Sequence, residues 1–512
     1  MTVQTPAPTS AVHVARGASY VTIQNLTTSL AQIVSFTILA RLITPKEMGI
    51  LAVLNLVNGA CLVLGTIALQ QAATRFVAER FSQSRSVAAA AFYQAIRTTF
   101  IIAALLGAAV FLGSSALSTR LFGAQNFVIY FQVLAFDIVI SAGLSPVLSN
   151  TMFGLQKFRE AASVGIFGTL LRQSLIIILV LLLQSFLGLA VAWVASDLVI
   201  ASTYAAYLLR YLGPPRFDFP LRKLVNYSWP LAVSNGVGYV YSYFDSAVLL
   251  VLVPLATLGV YNATLQAFGA LNGISNAIAA TLFPAYSAIQ NGKQRGSSSD
   301  AVRLASRYAY LTAVPLALGL FATAKPALTL FVGRAYVTGS NPLMILSGVF
   351  AVTVIGIVLG PMLLALAHTR AASAITTGSV ILSITTAVLL VPTWGILGAS
   401  VARGFGMITS TALTILFLRK KLSLTLDLGM IPKTLAAGVI MAAIVMAVQI
   451  PFYSQYLLPL YIVIGAVAYL TALRVLKAMK QEDIDLLGKY FGHKLSFATS
   501  ILRWILLPTS KR

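Results

Sequence analysis

Six charged side chains stand inside long apolar runs of this 512-residue sequence: Arg97, Asp137, Arg172, Asp197, Asp245 and Arg403. A charge in such surroundings is costly unless it is paired or lines a wet cavity, so each is a candidate for function. Three kinds of chemistry are open to them. An acid can hold a coupling ion. An acid and an arginine can form a structural ion pair, and two combinations sit at comparable depths: Arg172 with Asp137 or Asp197, and Asp245 with Arg403. An arginine can also grip phosphate, because its planar fork gives bidentate hydrogen bonds and stays protonated. Arg41 and Arg75, near the ends of their runs, join Arg97 as phosphate-binding candidates, with snorkelling to an interface as the competing reading.

Uncharged polar residues fall into stripes. Asn25, Thr28, Gln32 and Ser35 recur at helical spacing, as do Asn235, Gly238, Ser242 and Asp245. Asn262 and Gln266 begin a third stripe. Polar groups facing lipid are expensive, so these faces should meet a cavity or another helix. Catalytic patterns are missing: there is no GxxxxGK[ST], no GxSxG and no cluster of zinc ligands. His13, His368 and His493 are far apart and Cys61 is the single cysteine. We therefore expect no catalytic residues, no metal, no cofactor and no enzyme activity.

The elements that carry these residues follow from composition. Hydrophobic residues make up 58% and charged residues only 9%, with a mean hydropathy of +0.89. Soluble domains are about 25% charged, so a soluble enzyme is excluded. Apolar runs of about 20 residues can be traced fourteen times, the first (17–40) and seventh (227–251) being unusually polar. The 35 Lys and Arg against 12 Asp and Glu give a net charge of +23. The excess alternates from loop to loop: Arg41, Lys46, Arg120, Lys325 and Arg334 fall on one side, and nearly all other loop cations on the opposite side. That is a positive-inside pattern. It predicts cytoplasmic termini and argues against nucleic acid as a partner.

An offset of 210 residues relates Gly49, Gly59, Gly123, Gly168 and Gly188 to Gly259, Gly269, Gly333, Gly378 and Gly398, and Asn25 to Asn235. The predicted fold is an all-α polytopic membrane protein of about fourteen transmembrane helices. Two parallel six-helix repeats form a two-lobed bundle, with two extra helices. The expected division is a disordered cytoplasmic arm at 1–15, without the basic start of a signal peptide, and an N-terminal lobe at 16–210. A connector at 211–226, a C-terminal lobe at 227–421, helices 13 and 14 within 422–478, and an amphipathic cytoplasmic tail at 479–512 complete it. Pro146, Pro315 and Pro361 mark expected bends.

At this level the chain resembles a known family. "RLITPKEMGILAV" (41–53) is similar to the signature after the first span of polysaccharide flippases, with Met48 in place of the usual aromatic residue. These proteins belong to the multidrug/oligosaccharidyl-lipid/polysaccharide exporter superfamily. "YSWPLAVSNGVGYVYSYFDSAVL" (227–249), "LGVYNATLQ" (258–266), "LFPAYSAI" (282–289), "LLALAHTRAASAI" (363–375) and "PTWGILGASVAR" (392–403) continue the resemblance over most of 15–480. It implies a flippase that carries a polyprenyl-(pyro)phosphate-linked oligosaccharide from the cytoplasmic to the outer leaflet of the cell membrane by alternating access. It implies membrane lipids, and glycosyltransferases or a polymerase of the same pathway, as partners. By position, Arg41 and Asp245 are the residues the resemblance supports best. An ion-coupled multidrug extruder of the same superfamily is the alternative, although the first span has no acid. A membrane-embedded glycan polymerase or ligase is another, although the external loops are short and hold one acid, Glu47.

Overall fold

The computed structural model describes residues 8–290, 298–421 and 429–478, and among them it is helical with no strand. The helices are α1 (Pro8–Leu42), α2 (Pro45–Thr66), α3 (Leu69–Arg80), α4 (Arg85–Leu112), α5 (Ser114–Phe122), α6 (Val128–Ser141), α7 (Ser145–Gly154), α8 (Phe158–Leu183), α9 (Leu187–Leu212) and α10 (Leu221–Leu252). They continue with α11 (Leu255–Gln290), α12 (Ser298–Ala322), α13 (Ala324–Phe331), α14 (Ser340–Thr353), α15 (Ile355–Ala365), α16 (Thr369–Trp394), α17 (Ile396–Lys421), α18 (Ile431–Gln449) and α19 (Leu458–Val475). Among the described residues, 11 segments are long and apolar enough to cross a membrane. Three further long helices, α1, α10 and α11, carry the three polar stripes and are not among them. The protein is a multi-pass membrane protein of about the predicted number of spans.

Several boundaries differ from expectation. α1 begins at Pro8, so part of the expected 1–15 arm is helical. Proline suits a first helical turn, where its missing N–H is not needed, and Ala11 and Ala15 are strong helix formers. The connector shortens to 213–220, because 221–226 already belongs to α10. The expected tail at 479–512 lies outside the described residues. Pro146 does not bend a helix. It opens α7, after a break at 142–144 separating α7 from α6. Pro315 lies inside an uninterrupted α12, and Pro361 inside α15, after the break at Val354. The second span is also broken, at Ile67 and Ala68, both with positive φ (42° and 57°).

The predicted repeat is carried by the elements. α8 and α16 are both 26 residues long, and so are α9 and α17. α6 and α14 both have 14. Gly188 and Gly398 do the same work: a Cβ would lie 2.5 Å from the Leu179 carbonyl at one and 2.6 Å from the Leu390 carbonyl at the other. Each lets a helix turn back closely on the preceding one.

By contacts the chain forms two compact units, Met1–Gly259 and Val260–Arg512. The first unit therefore includes α10, which packs on α2, α3 and α4. Its core joins Leu69, Val77, Ala88, Phe92, Val147, Met152, Leu208 and Leu224. The small residues Ala88–Ala91 are all buried, which allows close helix approach. In the second unit α14 and α16 pack on α17, and the extra hairpin of α18 and α19 packs on α12.

The start of α2 explains much of the 41–53 motif. Thr44 and Glu47 form a capping box: Thr44 N–H donates to Glu47 Oε2 at 2.7 Å, and Glu47 N–H donates to Thr44 Oγ1 at 3.3 Å. Pro45 occupies the first turn. Gly49 then faces the first residue of α11, where a Cβ would lie 2.0 Å from Leu255 O. Gly259 returns the contact, its Cβ falling 1.9 Å from Pro45 O. The 210-residue offset also relates Pro45 to Leu255, so this is the reciprocal pattern of a two-fold contact.

Candidate functional site

The first unit encloses a polar cavity of about 530 Å3. Asn55 and Asn58 project from successive turns on one side of α2. Ser141, at the end of α6, is followed across the helix break by Ser145, Ser149 and Asn150 of α7. Arg172 enters from α8, Asp197 and Tyr204 from α9, and Tyr243 from α10. The break at 142–144 lets α6 and α7 both present serines, because it ends one helix and restarts another within four residues.

A charged cluster forms one wall. Arg172 Nη1 donates to Asp197 Oδ1 at 3.0 Å, with the arginine side chain 30% exposed and the aspartate 8%. The guanidinium also lies over Trp193, 5.3 Å from the ring centroid. Asp137 is buried behind this pair. Asn58 Nδ2 donates to Asp137 Oδ2 at 3.3 Å, and Ser141 Oγ donates to Asn58 Oδ1 at 3.3 Å. Asp137 Oδ1 meets no donor among the described residues; the Asp197 carboxyl lies close by. One carboxyl and one guanidinium thus line a polar pocket in a membrane-crossing unit, with a second carboxyl buried behind them. Arg172 holds its head open to the cavity while Trp193 and Asp197 fix its plane. That is a preorganised donor fork for an anionic oxygen group.

Three of the predicted residues, Arg172, Asp137 and Asp197, are thus brought together. Arg172 and Asp197 line the cavity, Asp137 lies behind its wall, and the others do not line it. Arg75 pairs with Glu79 at 2.6 Å and stacks on Tyr227, 4.6 Å from its centroid. Arg97 lies 5.0 Å over Phe217 of the connector. Both are exposed, as are Arg41, Asn25 and Gln32. Thr28, from the same stripe as Asn25, meets Thr169 of α8 at 3.3 Å, which is helix–helix bonding. On α10, Asn235 is half-buried, and Ser242 donates to Gly238 O of its own helix at 2.9 Å. Asp245 is fully buried, with Oδ1 accepting the Ser246 N–H at 2.8 Å. Asn262 and Arg403 are half-buried and Gln266 exposed, all in the second unit. Asn58, Ser141, Ser145, Ser149 and Tyr243 were not anticipated. The serine spacing of four was a visible signal. Among the described residues no three His, Cys, Asp or Glu side chains form a metal-binding group.

Comparisons with known proteins agree on the fold. The family model described as lipid II flippase MurJ matches residues 215–471. A curated relative, the probable low-salt glycan biosynthesis flippase Agl15 of Haloferax volcanii, is 25% identical over 252 residues. That match covers 49% of this chain and 53% of the relative, so it spans about half of each. The solved structure of lipid II flippase MurJ in an inward closed conformation has a TM-score of 0.70 at 13% identity, covering 90% of this chain and 98% of that one. An inward-facing multidrug resistance MATE family transporter of the MOP superfamily has a TM-score of 0.62 at 17% identity, covering 77% and 94%. At these identities the two structures speak to fold alone. The family model described as polysaccharide biosynthesis protein matches residues 14–290, more than half of the sequence. The chain belongs to this polysaccharide biosynthesis family.

Proposed function

We propose that the protein is a flippase that moves a polyprenyl-(pyro)phosphate-linked oligosaccharide from the cytoplasmic to the outer leaflet, and that the first-unit cavity receives its polar headgroup. The observation that carries this reading is Arg172, held by Trp193 and Asp197 at the wall of a cavity lined by amides and hydroxyls. Sugar hydroxyls suit Asn55, Ser145, Ser149 and Tyr243, which can donate or accept. A phosphate oxygen suits Arg172. A bound phosphate competes with Asp197 for the same guanidinium, so loading loosens the Arg172–Asp197 bond. Asp137 and Asp197 are the groups to hold a coupling ion, since two carboxyls face one guanidinium. Asp245 and Arg403 remain candidates for ion coupling, and Arg41, Arg75 and Arg97 for handling the headgroup at the membrane faces. The two six-helix repeats would alternate access, one rocking against the other. The charge pattern supports residence in the cell membrane with cytoplasmic termini. Glycosyltransferases or a polymerase of the same pathway would supply and consume the glycan. The matched flippases and transporters are not catalytic, in keeping with a transporter and not an enzyme.

The test is reconstitution in vesicles with a fluorescent lipid-linked oligosaccharide, scoring leaflet accessibility with and without an ion gradient. Arg172→Lys keeps the charge and removes the fork, and is expected to lower the rate about tenfold, the value of one charge-assisted hydrogen bond. A wild-type rate in Arg172→Lys counts against headgroup binding at this cavity.

A further inference from the structure

The second unit carries another pocket, of about 390 Å3, at the ends of its helices. The α12–α13 region supplies Lys325, the turn after α13 supplies Arg334, and the α18–α19 loop supplies Tyr453, Ser454, Gln455 and Tyr456. The charge distribution places these loops on the face opposite the basic cytoplasmic segments. Few cations are found on that face, and two of them converge here with no acid in the lining. Lys325 Nζ lies 5.0 Å over the Tyr453 ring. Arg334 is exposed, and no hydrogen bond or ion pair engages it among the described residues.

The pocket wall is held in place. Gln449 Nε2 donates to Ala322 O at 2.9 Å, tying the end of α18 to the end of α12. Ser454 N–H donates to the Tyr461 hydroxyl at 3.0 Å, and that hydroxyl donates to Phe452 O. A preformed concave site of this volume fits one headgroup or one monosaccharide phosphate.

The first repeat shows that the fold does not require these charges. Lys325 is the second residue of α13; the second residue of α5 is Ser115. Arg334 opens the 3-10 turn after α13; Gln125 opens the one after α5. Aromatic rings fill the first-repeat cap instead, with Phe122 stacked on Phe131 at 5.6 Å and tilted against Phe127 at 4.9 Å.

We infer that the Lys325–Arg334 pocket is a binding site for a phosphate ester bearing a polyol or sugar. The guanidinium fork and the ammonium take the phosphate oxygens. Tyr456, 75% exposed, offers an apolar ring face to the carbon side of the polyol. The Gln455 amide and Ser454 hydroxyl take its hydroxyls. This chemistry occurs in anionic glycerophospholipid headgroups and in glycosyl phosphates.

Calorimetric titration of the purified full chain in neutral detergent distinguishes them. The probes are short-chain phosphatidylglycerol, short-chain phosphatidylcholine and glucose 1-phosphate. Saturable binding of phosphatidylglycerol but not phosphatidylcholine identifies a lipid headgroup; tighter binding of glucose 1-phosphate identifies a glycosyl phosphate. In either case Lys325→Gln with Arg334→Gln should weaken binding about a hundredfold, one decade for each charged partner lost. Arg334→Gln alone, at an exposed position, should weaken it about tenfold and serves if the double variant does not fold. Binding unchanged in the folded variants, no preference for phosphatidylglycerol with no glucose 1-phosphate bound, or no binding of any probe overturns the assignment.

Discussion

α8 and α9 of the first repeat match α16 and α17 of the second in length, yet they hold different chemistry at the same places. By the 210-residue offset Arg172 of α8 corresponds to Leu382 of α16. Asp197 of α9 corresponds by the same offset to Met407 of α17. In the first repeat these positions meet as an ion pair at 3.0 Å. In the second repeat the neighbouring residues Ser383 and Gly406 make a close packing contact: a Cβ on Gly406 would lie 1.9 Å from Ser383 Oγ. Asp137 of α6 corresponds by the same offset to Ser347 of α14. The helix ends reverse the assignment, with aromatic packing at the α5 cap and cations at the α13 cap. One backbone plan therefore tolerates either a charged interior with an apolar cap or a packed interior with a charged cap. The glycines at these contacts answer to architecture.

The comparison can be broken at the point where the repeats agree most. Gly49→Leu and Gly259→Leu should each remove folded protein from the membrane. Both place atoms within a backbone carbonyl, and the cost should exceed about 4 kcal/mol. Size-exclusion profiles and thermal melts should show the two variants failing alike; tolerance of one and not the other would undo the two-fold equivalence.

Next comes the ion pair. Arg172→Leu leaves Asp197 buried without its cation and should cost about 3 kcal/mol, while Arg172→Leu with Asp197→Leu should recover most of it. Ser383→Ala, beside the corresponding position in the second repeat, should cost about 1 kcal/mol or less. Equal losses at Arg172 and Ser383 would contradict the division between charged and packed interiors.

Smaller again is Gly406→Ala, expected to cost about 1–2 kcal/mol through overpacking against Ser383. Ser383→Ala should relieve part of that cost, so the double-mutant cycle should be non-additive. The smallest effect belongs to Thr28→Val, which removes the 3.3 Å contact to Thr169 and should cost about 0.6 kcal/mol. Thermal melts of the detergent-solubilised variants check both.

These differences also mark what was legible before folding. The repeat could be read because glycines at close contacts recur at a fixed offset, as at Gly188 and Gly398. The pairing of Arg172 was half legible. Depth pointed to Asp137 or Asp197, and choosing between them needed the geometry of consecutive helices α8 and α9. The serines at 141, 145 and 149 were visible as a stripe, but the proline beside them drew attention to a bend, and the break sits earlier, at 142–144. Arg75 and Arg97 could not be placed from their own segments. Their partners Tyr227 and Phe217 lie more than a hundred residues away, at the start of α10 and in the connector. Long-range stacking leaves no local pattern.

The central claim is that the first-unit cavity carries the headgroup through its Arg172 fork. The most direct measurement is leaflet exposure of a lipid-linked oligosaccharide in vesicles containing Arg172→Gln with Asp197→Asn. This variant removes both charges while keeping neutral side chains of similar shape, so folding should survive. The account predicts folded protein with flipping reduced at least about tenfold. Flipping at the wild-type rate in that folded variant would contradict it.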